Sequence, residues 1–459
     1  MSVLDIARLQ FATTTIIHFL FVLVTLGLVT LLVAMQTAWA VTGRDKWLRH
    51  TRFWGRLYVI NYFLGIATGV VLELQFGLNW AGLSHRLGNV FGTPLVIETL
   101  VAFMLESTFL GLWIFGFGRL PKWLHTALIW LVALTAYVSV FWIMAANSFL
   151  QNPVGYEQGP DGVIRLADLG ALVTNPTFVM ALPHVVTGAI MTGGFILAGI
   201  SSWQLLRRTT DRAFFRTSLR LGVVVAFVGS LFTMGFGYAQ FAFVTSVQPT
   251  KFGDDAAREA AVAQFTERFG PGDYDPPAYA AVSLGFMILI GTALFLVGLF
   301  MPLFFKDLII RLRVPLVLLL LALPLPFVAA ILGWLTREGG RQPFAAYGLL
   351  PLDEAITPGL SAGPMMTGYV AFTGILAVLA LTNWALIARA AHRGAPLAPD
   401  TAIPSAAGTV THIAAPAHRV GAGGRVATVE RDSPASARRN GSAHTTFAQN
   451  GEGLTWLSY

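Results

Sequence analysis

Hydrophobic positions along this chain gather into long continuous runs, unlike the alternation of half-buried strands or the one-sided stripe of soluble helices. Each run is about twenty to thirty residues, enough for a helix to cross roughly 30 Å of hydrocarbon. Nine candidate spans follow, at roughly 11–40, 55–77, 94–118, 123–149, 179–206, 216–245, 278–305, 314–336 and 364–391. The first ends in Ala38-Trp39-Ala40, which resembles a signal-peptide cleavage site. Its apolar run is about twice the usual length of such a segment, and only Arg8 precedes it, so it reads as an uncleaved span. The pattern predicts an all-α integral membrane protein with about nine transmembrane helices.

Composition sharpens that class. Of 459 residues, 55% are hydrophobic and 12% charged, with a mean hydropathy of +0.67. A soluble domain carries about 25% charged residues, so a soluble enzyme is excluded. The net charge of +7 does not indicate nucleic acid, because the basic residues sit between the apolar runs, where membrane topology accounts for them. With no cysteine there is no disulfide, no thiolate-held cluster and no c-type haem attachment.

Strict alternation of spans places Arg44, Lys46, Arg49, Arg52 and Arg56 on one side with Arg119 and Lys122. Arg207, Arg208, Arg212, Arg216, Arg220, Lys306, Arg311 and Arg313 share that side. Arg389, Arg393, Arg419, Arg425, Arg431, Arg438 and Arg439 complete it. The positive-inside rule makes this face cytoplasmic, with the N-terminus outside and the C-terminus inside. Residues 394–459 are rich in Ala, Gly, Ser, Thr and Pro and are expected to form a disordered cytoplasmic tail behind a membrane domain of residues 1–393. The longest outer loops are 150–178 and 246–277, and no internal repeat points to a transporter.

An ionisable group within a span costs several kcal/mol and so calls for a reason. Glu73, Glu98, Glu106 and Glu338 lie in or at the edge of apolar runs, as do His18, His125 and His184. His18 reads either as a histidine bonded to a neighbouring carbonyl or as an iron ligand, and burial in a span favours the ligand. No span carries two histidines, so a bis-histidine haem within one helix pair is not expected. Glu98 and Glu106, eight residues apart, fall about 80° apart on a regular helix and share a face. They read as a proton-conducting carboxylate pair, which Ser139 and Asn147 on the next span could extend.

Four stretches carry a resemblance: NYFLGIATGVVLELQFGLNW (61–80), FGTPLVIETLVAFMLESTFLGLW (91–113), WIMAANSFLQNPVGYE (142–157) and GWLTREGGRQPF (333–344). In this order they resemble subunit I of the cytochrome bd oxidases, bacterial terminal oxidases that reduce dioxygen to water. The resemblance spans nearly all of residues 1–391. It implies a fold of two four-helix bundles plus one further helix in the cytoplasmic membrane. It also implies a quinol:oxygen oxidoreductase working with a second polytopic subunit, and three cofactors: haem d, a high-spin haem b and a low-spin haem b. By the same resemblance His18 and Glu338 are the iron ligands of the oxygen-reducing pair, with Glu98, Trp334 and Arg341 beside it. Glu106, Ser107, Ser139 and Asn147 fall on the proton path, His184 matches one ligand of the low-spin haem, and Lys251 lies in the quinol loop.

The sequence also departs from the family. The position of an arginine on the seventh span is Met287, and that of the methionine ligand two residues on is Leu289. Met287 is rotated by about 200° from that position, which predicts a poor substitute. Ala256 stands where the quinol loop carries a glutamate, with Asp254 and Asp255 out of register, and Phe344 replaces a tryptophan. These changes predict a weakened low-spin haem and donor site. They leave open a bd oxidase with a substitute ligand, a bd-like oxidase with another electron donor, and a non-catalytic haem-binding membrane protein. The retained Glu98, Glu106 and Glu338 favour an oxidase.

Overall fold

The computed structural model describes residues 1–395; the expected tail, with Arg419, Arg425, Arg431, Arg438 and Arg439, lies outside the described residues. The fold is all-α. Helix α1 spans Val3–Thr42, α2 Asp45–Leu78, α4 Lys122–Gln151 and α5 Pro176–Leu206. Helix α6 covers Arg212–Val247, α7 Tyr279–Leu299, α8 Arg313–Gly339 and α9 Ala362–Arg393. Between α2 and α4 the third expected span, α3, is compound: Ala81–Glu98, a π-helical stretch Thr99–Glu106, and Ser107–Gly116. Among the described residues, eight helices are therefore long and apolar enough alone to cross a membrane, and α3 is not one of them.

Most helices start earlier than hydropathy indicates, because capping and polar turns extend them beyond the apolar run. Ser2 accepts from the Asp5 backbone N–H while Asp5 accepts from that of Ser2, a capping box that begins α1 eight residues before the apolar run. Gly43, in the left-handed region at φ 64°, ends it.

Lipid is as apolar as leucine, so packing depends on close approach and on polar clamps. Gly27 on α1 faces Gly193 on α5, where a Cβ at Gly193 would stand 2.7 Å from the Gly27 carbonyl carbon. Asn61 on α2 donates to the Phe21 carbonyl of α1 at 2.9 Å and accepts from Asn383 of α9 at 3.3 Å. His125 is consumed structurally: it bonds Gln36 at 3.1 Å and the Trp113 carbonyl at 2.9 Å.

Cross-links also sort the two ends of the bundle. One end joins Arg49 to Asp211, Arg207 to His392 and Arg216 to Asp307. The other joins Arg8 to Gln342, Thr357 to Asn79 and Tyr347 to Leu150. At this second end two hairpins form, β1 (Tyr156–Gln158) with β2 (Ile164–Leu166) and β3 (Phe344–Ala346) with β4 (Leu350–Pro351). The loop after α6 folds into two short helices, Pro249–Phe252 and Asp255–Phe269. It docks on β3, with the Phe265 and Phe344 rings 4.8 Å apart and Tyr274 stacked on Phe344 at 5.8 Å. Phe344, expected as a departure, is thus a buried anchor of that loop.

Candidate active site

A cavity of about 720 Å³ runs between the helices. Its walls include His18, Glu98, Glu106, Ser139, Asn147, His184, Lys251, Trp334 and Glu338. Residues scattered over more than three hundred positions thus meet in one space.

The two histidines are oriented by second partners. Thr68 on α2 gives its hydroxyl proton to the Gly65 carbonyl at 2.6 Å, so toward His18, 3.0 Å away, it accepts. The His18 Nδ1 therefore carries hydrogen and its Nε2 keeps a lone pair. His184 donates from Nδ1 to the Thr233 carbonyl on α6 at 2.8 Å, leaving its Nε2 in the same state. Glycines make room for both rings: a Cβ at Gly69 or Gly237 would stand 3.1 Å and 3.0 Å from the respective Cε1 atoms. Second partners of this kind commonly fix the tautomer of a metal-binding imidazole.

Glu338, in the last turn of α8, is buried and closely held. Arg341 donates to its Oε2 through Nε at 3.0 Å and Nη2 at 2.6 Å. Asn147 donates to Oε1 at 2.8 Å and Gln151 at 3.3 Å. Asn147, expected to extend the path of Glu98 and Glu106, instead bridges Glu338 and Arg337, whose Nε donates to Asn147 Oδ1 at 2.6 Å. Arg337 and Gln151 were not singled out from sequence. The signal for Arg337 was a cation at the end of an apolar run, the mirror of the argument applied to the glutamates.

The carboxylates of α3 divide between two neighbours. Glu98 accepts from Ser139 at 3.0 Å, and Glu106, 4% exposed, faces the Tyr58 hydroxyl at 3.4 Å. Ser107 pairs with the Tyr62 hydroxyl at 3.1 Å. The π-helical stretch ends at Glu106, so the 80° expected from a regular helix does not apply; such segments recur at functional sites. Glu73 accepts from Thr99 at 3.0 Å.

On α7 the two departing positions face opposite ways. Leu289 is 62% exposed on the outer surface, whereas Met287 lines the cavity with its sulfur against Gly333 of α8. In the loop, Lys251 enters the cavity alongside Gly340, where a Cβ would overlap its side chain. Burial, with Arg337 and Arg341 nearby, pushes its amine down to about 7. Ala256 is exposed, and Asp254 caps the helix by accepting from the Ala257 N–H at 2.8 Å, so neither serves as an acid beside Lys251.

Three cations, Arg337, Arg341 and Lys251, thus surround the single carboxylate of Glu338, and the buried Nη1 of Arg341 has no partner among the described residues. An unpaired buried donor in excess positive charge suits an acidic cofactor, and free imidazole nitrogens suit its iron. The family of cytochrome bd terminal oxidase subunit I matches residues 6–268 and 260–395. The cytochrome bd ubiquinol oxidase subunit 1 of Bacillus subtilis (strain 168) is 34% identical over 448 residues, 86% of this chain and 95% of the relative.

The chain belongs to the cytochrome bd terminal oxidase subunit I family.

The cytochrome bd-II ubiquinol oxidase subunit 1 of Escherichia coli (strain K12) is 41% identical over 251 residues, 54% of this chain and 49% of that one. The solved bd oxidase from Geobacillus thermodenitrificans shares the fold, with a TM-score of 0.76 at 23% identity over 85% of this chain and 99% of the other. As a member of this family the chain serves as subunit I of a bd-type oxidase, an oxidoreductase with haem cofactors and a multi-pass protein of the bacterial cytoplasmic membrane.

Proposed function

We propose that this chain oxidises a quinol and delivers the electrons to dioxygen, forming water with protons drawn from the cytoplasm, in complex with a second polytopic subunit. The observation that carries this reading is the pair of cavity histidines, His18 and His184, each with Nδ1 committed to a hydrogen bond and with no partner on Nε2 among the described residues. His18 and Glu338 are assigned to the oxygen-reducing pair of haem d and high-spin haem b, and His184 to a low-spin haem b. Bound there, the haems supply the redox chemistry of iron.

The remaining work belongs to the protein. Arg341, with its unpaired Nη1, would bind a cofactor carboxylate and keep Glu338 anionic. Trp334 lines the same cavity as Glu338. Reduction of oxygen consumes a proton for every electron, and Glu106 with Tyr58, Ser107 with Tyr62, and Glu98 with Ser139 form the hydrogen-bonding groups available to hold those protons. Asn147 holds Glu338 through a donated hydrogen bond. Lys251 places a titrating amine where the outer loop meets the cavity, suited to a quinol oxygen. The basic end of the bundle, with Arg49, Arg207 and Arg216, faces the cytoplasm in this reading, and the N-terminus lies outside.

The test is His18→Ala in the purified two-subunit oxidase. One haem should be lost per protein and oxygen consumption abolished. Full haem content with normal turnover would refute the assignment.

A further inference from the structure

The loop that holds Lys251 is connected to Glu338 by two buried amides. Gln248 and Gln151 are each 2% exposed. Gln248 donates from Nε2 to both the backbone carbonyl and the Oε1 of Gln151, at 2.9 and 3.0 Å. A glutamine amide has one accepting and one donating end. Engaging Oε1 of Gln151 therefore turns its NH₂ the other way, toward Glu338 Oε1 at 3.3 Å. The backbone carbonyl of Gln248 accepts the backbone N–H of Lys251 at 3.0 Å, so the turn that carries Lys251 also carries the Gln248 side chain. Gln248, Gln151 and Glu338 thus form an oriented hydrogen-bonded series, anchored on the loop turn that holds Lys251.

We propose that Gln248 and Gln151 are positioning residues through which the loop around Lys251 sets the electron affinity of the haem held by Glu338; this rests on the assignment of Glu338 as a ligand. A hydrogen bond donated to a carboxylate withdraws charge from it. Without the bond, Glu338 donates more strongly to iron, favours the ferric state and lowers the midpoint potential. A donor molecule that shifts Lys251 also shifts Gln248, and so signals its arrival to the oxygen-reducing site.

Potentiometric titration of the purified two-subunit oxidase tests this. Gln151→Leu should lower the midpoint of one haem and leave the others unchanged. Gln248→Leu should lower the same midpoint. The double variant should show a shift no larger than that of Gln151→Leu alone, because the series runs through Gln151. An unchanged midpoint in Gln248→Leu, or shifts that add, would overturn the proposal. Should Gln248→Leu fail to assemble, Gln248→Glu keeps the size and, when ionised, has no proton to donate, so the same fall is expected. If Glu338→Ala leaves all midpoints unaltered, the ligand assignment fails instead. The infrared carboxylate stretch of Glu338, identified by Glu338→Gln, then reports on the series directly: it should move in Gln248→Leu, and a fixed band counts against the proposal.

Discussion

Thr68 accepts a hydrogen bond from His18 at 3.0 Å only because its own proton is committed to the Gly65 carbonyl at 2.6 Å. A residue fifty positions away on α2 thereby fixes which nitrogen of His18 faces the cavity. Thr68→Val keeps the shape and removes the acceptor. Haem retention at His18 is expected to weaken by about 10–100-fold, the usual cost of losing such a partner. Haem-to-protein ratio during dialysis against a haem scavenger measures it.

Glu106 is almost fully buried, with the Tyr58 hydroxyl at 3.4 Å. Glu106→Gln preserves volume but cannot titrate. Oxygen consumption should fall by about a hundredfold or more with haem content unchanged. Tyr58→Phe should give a smaller loss in the same assay. Equal turnover in Glu106→Gln and the parent would remove Glu106 from the path.

On α7 the cavity face belongs to Met287 and the outer face to Leu289. Met287→Leu is therefore expected to diminish the low-spin signal in reduced-minus-oxidised spectra, because the thioether that this helix presents to the cavity is gone. Leu289→Met should leave the spectrum unaltered. A low-spin band that grows in Leu289→Met would show that the sequence register, not the observed one, governs ligation.

Lys251 titrates near 7, so its charge is present below that pH and lost above it. The KM for quinol is expected to rise as pH climbs through 7, and to stay flat in Lys251→Arg, which remains charged. Stability carries the same sign check. Between about 7 and 10.5 the unfolded chain binds a proton that the folded chain lacks, so the cost of burying Lys251 diminishes as pH rises across that window. Steady-state kinetics over this range read the first effect.

Chain order alone determined the membrane class, the positions of most helices and the identity of His18, His184, Glu98, Glu106 and Glu338 as groups needing a task. Hydrophobic runs report span length directly, and an ionisable residue inside one is conspicuous because lipid penalises it. Helix ends were less legible, since caps such as Ser2 with Asp5 extend a helix without adding hydrophobicity. Facing was decided only in three dimensions. A helical wheel assumes a regular turn, which the π-helical stretch at Thr99–Glu106 breaks, and it says nothing of how α7 is rotated against α6 and α8. The same limit hid Arg337, and it hid Gln151 and Gln248, whose orientation comes from which end of each amide a neighbour occupies. Sequence specifies that a buried amide must be satisfied; only packing chooses the partner, because hydrogen bonds act over about 3 Å and bring together residues from distant parts of the chain.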